Sequence, residues 1–129
     1  MTLVKGLQSE IYVPITPPPV WTPVTKDLKD MTVAIVTAAG VHEKVDKRFN
    51  LSGDFTFRRV KDTTSSSELM VSHGGYDNTD VNKDINCMFP IDRVHELAKD
   101  GFIKSIAPVH IGFMGGGGNQ EKFRNETGP

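Results

Sequence analysis

The sequence predicts an α/β fold, a partly parallel sheet with flanking helices, preceded by an extended proline-rich arm. Three observations carry that expectation. Residues 32–37, TVAIVT, form a β-branched apolar run closed by the small residues Ala38, Ala39 and Gly40. Residues 90–100 open on a proline, repeat apolar positions at helical spacing and stop at Gly101. Residues 109–114, VHIGFM, form a second apolar run ending in four consecutive glycines, Gly115 to Gly118. Short continuous apolar runs fit strands covered on both faces, as parallel strands are.

Along the chain, residues 12–24, YVPITPPPVWTPV, hold five of the eight prolines. Successive rings fix φ and remove N–H donors, which favours polyproline II over helix or central strand. Residues 1–30 are therefore expected to form an extended arm, and residues 31–129 the N-terminal part of an α/β domain. The apolar members Val13, Ile15, Val20, Trp21 and Val24 point to an arm lying on its own domain or clasping a neighbouring subunit; an apolar linker is the alternative. TVAIVT follows as a buried strand and a candidate for the centre of the sheet. Residues 55–60, FTFRRV, begin with alternation and read as a more exposed strand, residues 63–67 as a polar connector, and residues 69–71 as another short strand.

The helix over 90–100 has proline in its first turn and Asp92 near the positive end of its dipole. Ile91, Val94, Leu97 and Ala98 recur on one face and are expected to be buried; Gly101 supplies the stop. Residues 102–107 lead to Pro108 and the strand over 109–114, and residues 120–127 open a further helix. A strand, a glycine turn and an opening helix are two parts of a βαβ unit. The chain thus reads as an N-terminal portion whose C-terminal half is missing.

Composition narrows the function classes. At 129 residues and 37% hydrophobic, the chain can bury one modest core. A net charge of -1 offers no long-range pull on nucleic acid or anionic lipid. No apolar run approaches the roughly 20 residues that span a bilayer, and the N-terminus lacks the apolar stretch of a secretory signal. A cytoplasmic protein with no membrane span and no nucleic-acid partner is expected. The single cysteine, Cys87, excludes an internal disulfide and a multi-thiolate zinc site; followed by Met88 and Phe89, it is expected to be buried and unreactive.

The densest polar stretch is residues 71–94, VSHGGYDNTDVNKDINCMFPIDRV. Asp80, Asn82, Asp84 and Asn86 alternate like a calcium loop, but the template places Ile85 where glycine is needed and Ile91 where a bidentate glutamate is needed. A looser set of His73, Asp77 and Asp84 competes with a loop that bonds its own backbone, and no metal is assigned. The glycine run at 115–118 could cradle an anion, yet it has neither P-loop lysine and hydroxyl nor dinucleotide spacing. It is a backbone-exposing turn at the carboxyl end of a strand, where open α/β sheets place ligands, or a tight structural turn. Of four histidines, His42 and His73 follow apolar runs where strand ends can meet, whereas His95 borders the helix stripe and His110 lies inside an apolar strand.

Several of these stretches together resemble one family. TVAIVTAAGVH at 32–42, FNLSGDFTFR at 49–58, VSHGGYD at 71–77 and DINCMFPIDRVHELAKDGFIKSIAPVHIGFMGG at 84–116 are similar, in order and spacing, to the glycine, sarcosine, betaine and D-proline reductase selenoprotein B family. Residues 5–24, 84–104 and 110–123 most resemble its D-proline-cleaving branch. The resemblance implies an oxidoreductase that reductively opens the ring C–N bond of D-proline to 5-aminopentanoate, within a hetero-oligomer. It also implies a pyruvoyl group on a partner subunit and a selenocysteine beyond residue 129 as nucleophile, since a selenol ionises where a cysteine of pKa about 8.5 stays protonated. Cys87 does not match that redox motif. On this reading His42, His73 and Asp77 are candidate catalytic residues, one of the histidines delivering a proton to the leaving amine. Tyr76, Asp84, Asn86, Gly115 and Gly116 would bind or orient the substrate. The same side chains could instead knot the loop and cap the following helix. A small-molecule or phosphate-binding module and a purely structural subunit are the alternatives.

Overall fold

The computed structural model describes residues 21–115 and 120–128. The expected arm lies outside them up to residue 20, as does the glycine turn at 116–118. The strand expected over 32–37 is present as two pieces, β1 (Thr32–Val33) and β2 (Val36–Thr37). β1 runs parallel to β6 (Ser105–Ile106) and β2 parallel to β7 (Val109–Phe113). At the break, the Ile35 N–H donates to Nδ1 of His110 at 3.0 Å and the Ile35 carbonyl accepts from Ile111 N at 2.9 Å. The central place belongs to β7, which pairs on its other side with antiparallel β4 (Phe57–Lys61). The expectation that TVAIVT is central is corrected: β2 is an edge in the order β2-β7-β4, and Val36 stays 64% exposed. β4 pairs with the far flank of β7 in a longer ladder, and among the described residues no strand pairs with the other flank of β2.

A second layer was not legible in the sequence. β3 (Val41–Glu43) pairs antiparallel with β5 (Leu69–Val71). The chain turns from β2 into β3 at Gly40, whose φ is 74° and where a Cβ would sit 2.4 Å from the Ser72 carbonyl oxygen. Only glycine tolerates both demands. The layers meet backbone to backbone, because a Cβ on Gly112 of β7 would lie 2.0 Å from the Val41 carbonyl oxygen. Val41, Val60, Leu69, Val71, Phe89 and Ile91 are buried in one core cluster beside this contact.

Two helices complete that layer, α1 (Thr79–Lys83) and α2 (Ile91–Lys99). α2 begins one residue after Pro90 and ends before Gly101, whose φ of 76° is the left-handed stop expected there. Ile91 and Val94 are buried, but Leu97 is 43% exposed. The stripe is shorter than expected because the last turn overhangs the core, and the chain folds back on it through Phe102 N to Leu97 O at 2.9 Å. Cys87 is exposed rather than buried. It ends a 3₁₀ turn, Ile85–Cys87, in which Ile85 takes the inward position and a residue two further on points elsewhere. The last described segment is α3 (Gln120–Lys122) continued by a π turn, Phe123–Thr127. Phe123 packs edge-on to Phe113 with centroids 5.8 Å apart, and Thr127 Oγ1 donates to the Phe55 carbonyl.

Candidate functional site at the carboxyl end of the parallel strands

Because β2 and β7 are parallel, their C-terminal ends fall side by side. Gly115 N donates to Ala38 O at 3.1 Å, Gly40 N to Phe113 O at 2.9 Å, and Ala39 bridges Met114. Ligands of open α/β sheets sit outside such ends. Ser72 N donates to Gly40 O at 2.9 Å, which carries the chain leaving β5 to the same place and delivers His73 there.

His73 is held by its neighbours. Its ring lies over Tyr76, with centroids 4.6 Å apart and planes 34° apart. The Tyr76 hydroxyl donates to the Ala39 carbonyl at 2.6 Å, and burial raises its pKa above the usual 10.0, so it keeps the proton it donates. Gly75 N–H donates to His73 Nδ1 at 2.9 Å. With Nδ1 an acceptor, the neutral ring carries its proton on Nε2, which has no partner among the described residues. Burial lowers the His73 pKa from 6.5, favouring that neutral form. A Cβ on Gly75 would come within 2.8 Å of the ring's Cε1, so any larger residue there would push the ring aside. Asn78 Nδ2 donates to the His73 carbonyl at 2.9 Å and steadies the segment.

Of the candidate residues, His73, Tyr76 and Gly115 are brought together at this end; Gly116 lies outside the described residues. Asp77 follows closely but is engaged elsewhere: its Oδ1 accepts from the Thr79 hydroxyl at 2.6 Å and the Thr79 N–H at 2.9 Å, starting α1. Those bonds hold its pKa below 3.8. His42 is fully buried; Nδ1 is 2.6 Å from the Glu43 carbonyl, so it donates there and Nε2 accepts from the Ser72 hydroxyl at 2.8 Å. It supports the residue before His73 from beneath and reaches no open surface.

Asp84 and Asn86 form a separate knot. Asp84 Oδ1 accepts from Asn86 N at 2.9 Å and from Asn86 Nδ2 at 3.0 Å, which lowers the Asp84 pKa from 3.8, the side-chain bond most of all. Asn86 Nδ2 also donates to Asp92 Oδ2 at 2.8 Å, and Asn86 Oδ1 accepts from Asp92 N at 3.1 Å. The pair satisfies the first turn of α2, as side-chain caps do, beside a different open pocket shared with Lys44 and Lys83. His95 and His110 lie at the far end of the sheet, where their Nε2 atoms approach Asp62 Oδ1 at 3.0 and 3.5 Å. No group of three His, Cys, Asp or Glu side chains able to hold a metal ion occurs among the described residues. Sequence reasoning missed Ser72, Asn78 and the Ala39 carbonyl. Ser72 adjoins His73 and Asn78 lies five residues on, but only the fold reveals which groups they meet.

The family described as glycine/sarcosine/betaine reductase selenoprotein B matches residues 5–127. The chain is similar to D-proline reductase subunit gamma of Acetoanaerobium sticklandii, 75% identical over 129 residues that cover all of this chain and 53% of the relative. It is 31% identical to the sarcosine reductase complex component B subunit beta of Peptoclostridium acidaminophilum, over 94% of this chain and 31% of that one. It is 32% identical to a glycine reductase complex component B subunit gamma of Carboxydothermus hydrogenoformans, over 78% of this chain and 25% of that one. The chain spans about half the length of the first of these curated relatives and a third or less of the others. No solved structure matches it. Among the described residues, no helix is long and apolar enough to cross a membrane.

Proposed function

Because the chain belongs to the glycine/sarcosine/betaine reductase selenoprotein B family, we propose that it forms part of a D-proline reductase, opening the ring C–N bond of D-proline to 5-aminopentanoate. It would act in a cytoplasmic hetero-oligomer with a pyruvoyl-bearing subunit. The pyruvoyl group and a selenocysteine outside residues 1–129 would supply the electron-poor and nucleophilic centres of that cleavage. The residues of this chain facing them would be His73, Tyr76 and Gly115.

The observation that carries this reading is the Nε2–H of His73, unpartnered among the described residues, at the carboxyl end of two parallel strands. A fixed donor there suits the polar atoms of an amino acid. Tyr76 and the Gly75 N–H set the ring's orientation and its tautomer. Full proton delivery to the leaving amine would need the imidazolium, whose Nδ1–H would oppose the Gly75 N–H. The local bonding therefore favours His73 as a hydrogen-bond donor, worth about 100-fold or more in rate when it meets developing charge. His42 would act only by supporting Ser72.

The test is turnover by the assembled enzyme with His73 replaced. His73→Ala should lose about 100-fold in kcat/KM, and His73→Gln, which keeps an N–H near the Nε2 position, should recover part of it. Full activity in both variants would rule His73 out of the reaction.

A further inference from the structure

Arg58 lies at the same end of the sheet as His73. It stands opposite Gly112 near the start of β4. Cross-strand neighbours share a face, and Gly112 faces Val41 of β3; Arg58 therefore projects into the layer that carries His73. Its guanidinium lies 4.5 Å from the centroid of the buried Phe49 ring. Nε donates to the Lys47 carbonyl at 3.0 Å, and Nη1 to Thr56 Oγ1 at 2.8 Å and the Phe57 carbonyl at 2.9 Å. Nη2 has no partner among the described residues. The fork is thus fixed in one orientation with one nitrogen left to offer.

Arg58 lines an open pocket of about 630 Å³ together with Lys47, Arg48, Asn50, Asp54 and Thr56. The only carboxylate there is already engaged. Asp54 Oδ1 accepts from the Thr56 N–H and hydroxyl at 2.8 and 2.5 Å, and Oδ2 from Asn50 N at 3.0 Å. Burial alone would push the Asp54 pKa up, but these bonds and the Arg58 charge hold it below 3.8. Three cations therefore line a pocket whose single anion among the described residues already accepts three hydrogen bonds from its own loop. The loop's tip, Leu51, lies 3.6 Å from where a Cβ on Gly74 would be, which joins the pocket to the His73 segment.

We infer that this pocket is a carboxylate subsite, with Nη2 of Arg58 as its fixed donor and Lys47 and Arg48 adding charge. Its ligand is the α-carboxylate of the amino acid being cleaved, an assignment that rests on the function proposed above. A guanidinium held by stacking and hydrogen bonds loses little freedom on binding and stays charged at every working pH.

The test uses the assembled enzyme. Arg58→Lys and Arg58→Gln should raise the KM for D-proline by about 10- to 100-fold, with a much smaller change in kcat. The inhibition constant of D-prolinamide, which lacks the carboxylate, should barely move. Equal changes for proline and prolinamide, an unchanged KM, or loss of complex assembly would each overturn the assignment, the last by making Arg58 a subunit contact. A second measurement needs no variant: phenylglyoxal modification of Arg58 in the wild-type complex, followed by mass spectrometry. Acetate and D-proline should both slow it, and D-prolinamide should not. Protection by acetate without protection by D-proline keeps the subsite and removes the proposed substrate; protection by neither removes the subsite.

Discussion

Residues 72–78 and 80–92 come from one polar stretch of similar composition, yet the fold spends them differently. In the second segment most polar side chains close on a neighbour: Asp84 on Asn86, Asn86 on Asp92, and Lys83 on Asp80 at 3.0 Å. The first segment closes only partly. Tyr76, Gly75 and Asn78 are committed to backbone or ring, and their combined effect leaves one donor, His73 Nε2–H, without a partner among the described residues. Side chains that satisfy one another serve stability, whereas side chains that hold a neighbouring donor in place and leave it open serve recognition. Polar residues alone do not distinguish these cases; the partner of each atom does.

The contrast can be broken most severely at its foundation. Gly40→Ala should cost about 2–4 kcal/mol, because the new Cβ meets both a left-handed φ and the Ser72 carbonyl, and it should displace His73 as well. The drop in urea midpoint measures it; a loss below about 0.5 kcal/mol would show that the turn relaxes freely. Next in size, Asn86→Ala should cost about 1–2 kcal/mol of stability with little change in turnover, the reverse of the pattern expected for His73→Ala. If Asn86→Ala abolishes turnover in a complex that still melts normally, the closed segment has a chemical role after all. Tyr76→Phe should cost about 1 kcal/mol and lower kcat/KM by roughly 10-fold through a less well-held His73.

The smallest expected effects separate the segments by pH. The His73 pKa is lower folded than unfolded, so the unfolded chain binds the proton first. Its contribution is present above 6.5 and is lost as pH falls through the lower folded value. Asp84 is also lowered, from 3.8; its contribution is present above that value and lost as pH falls further. Thermal melts from pH 8 to 3 should therefore show a shallow His73 step, absent in His73→Gln, and a separate acid step, weakened in Asp84→Asn. A single step insensitive to both substitutions would remove the distinction.

Several features were legible because they rest on local chemistry. The helix at Ile91–Lys99 and its glycine stop follow from Pro90, helical spacing and Gly101. The strands Leu69–Val71 and Val109–Phe113 follow from apolar runs bounded by polar or small residues. The edge position of Val36–Thr37, the three-residue strand Val41–Glu43 and the exposure of Cys87 did not follow. Each depends on which strand competes for which neighbour, and a three-residue segment has too few positions to display a period. Within the site, the importance of His73 was readable from its place after an apolar run and before two glycines. Its separation from His42 was not, since both histidines follow strands and only burial divides them. Arg58 went unnoticed because an arginine in an alternating strand looks like solvent-facing charge until Phe49 is found beneath it.

By itself the sequence determined the class of fold, the family and the segment in which chemistry-bearing groups are concentrated, because periodicity, turn residues and motif order are properties of neighbours along the chain. The tertiary structure alone decided that His73, Tyr76, Gly115 and Arg58 share one end of a sheet, that His42 is sealed beneath that end, and that Asp84 and Asn86 lie elsewhere. Those pairings depend on strand direction and on close backbone approaches at Gly40 and Gly112. Such contacts join residues tens of positions apart, and no local pattern encodes them.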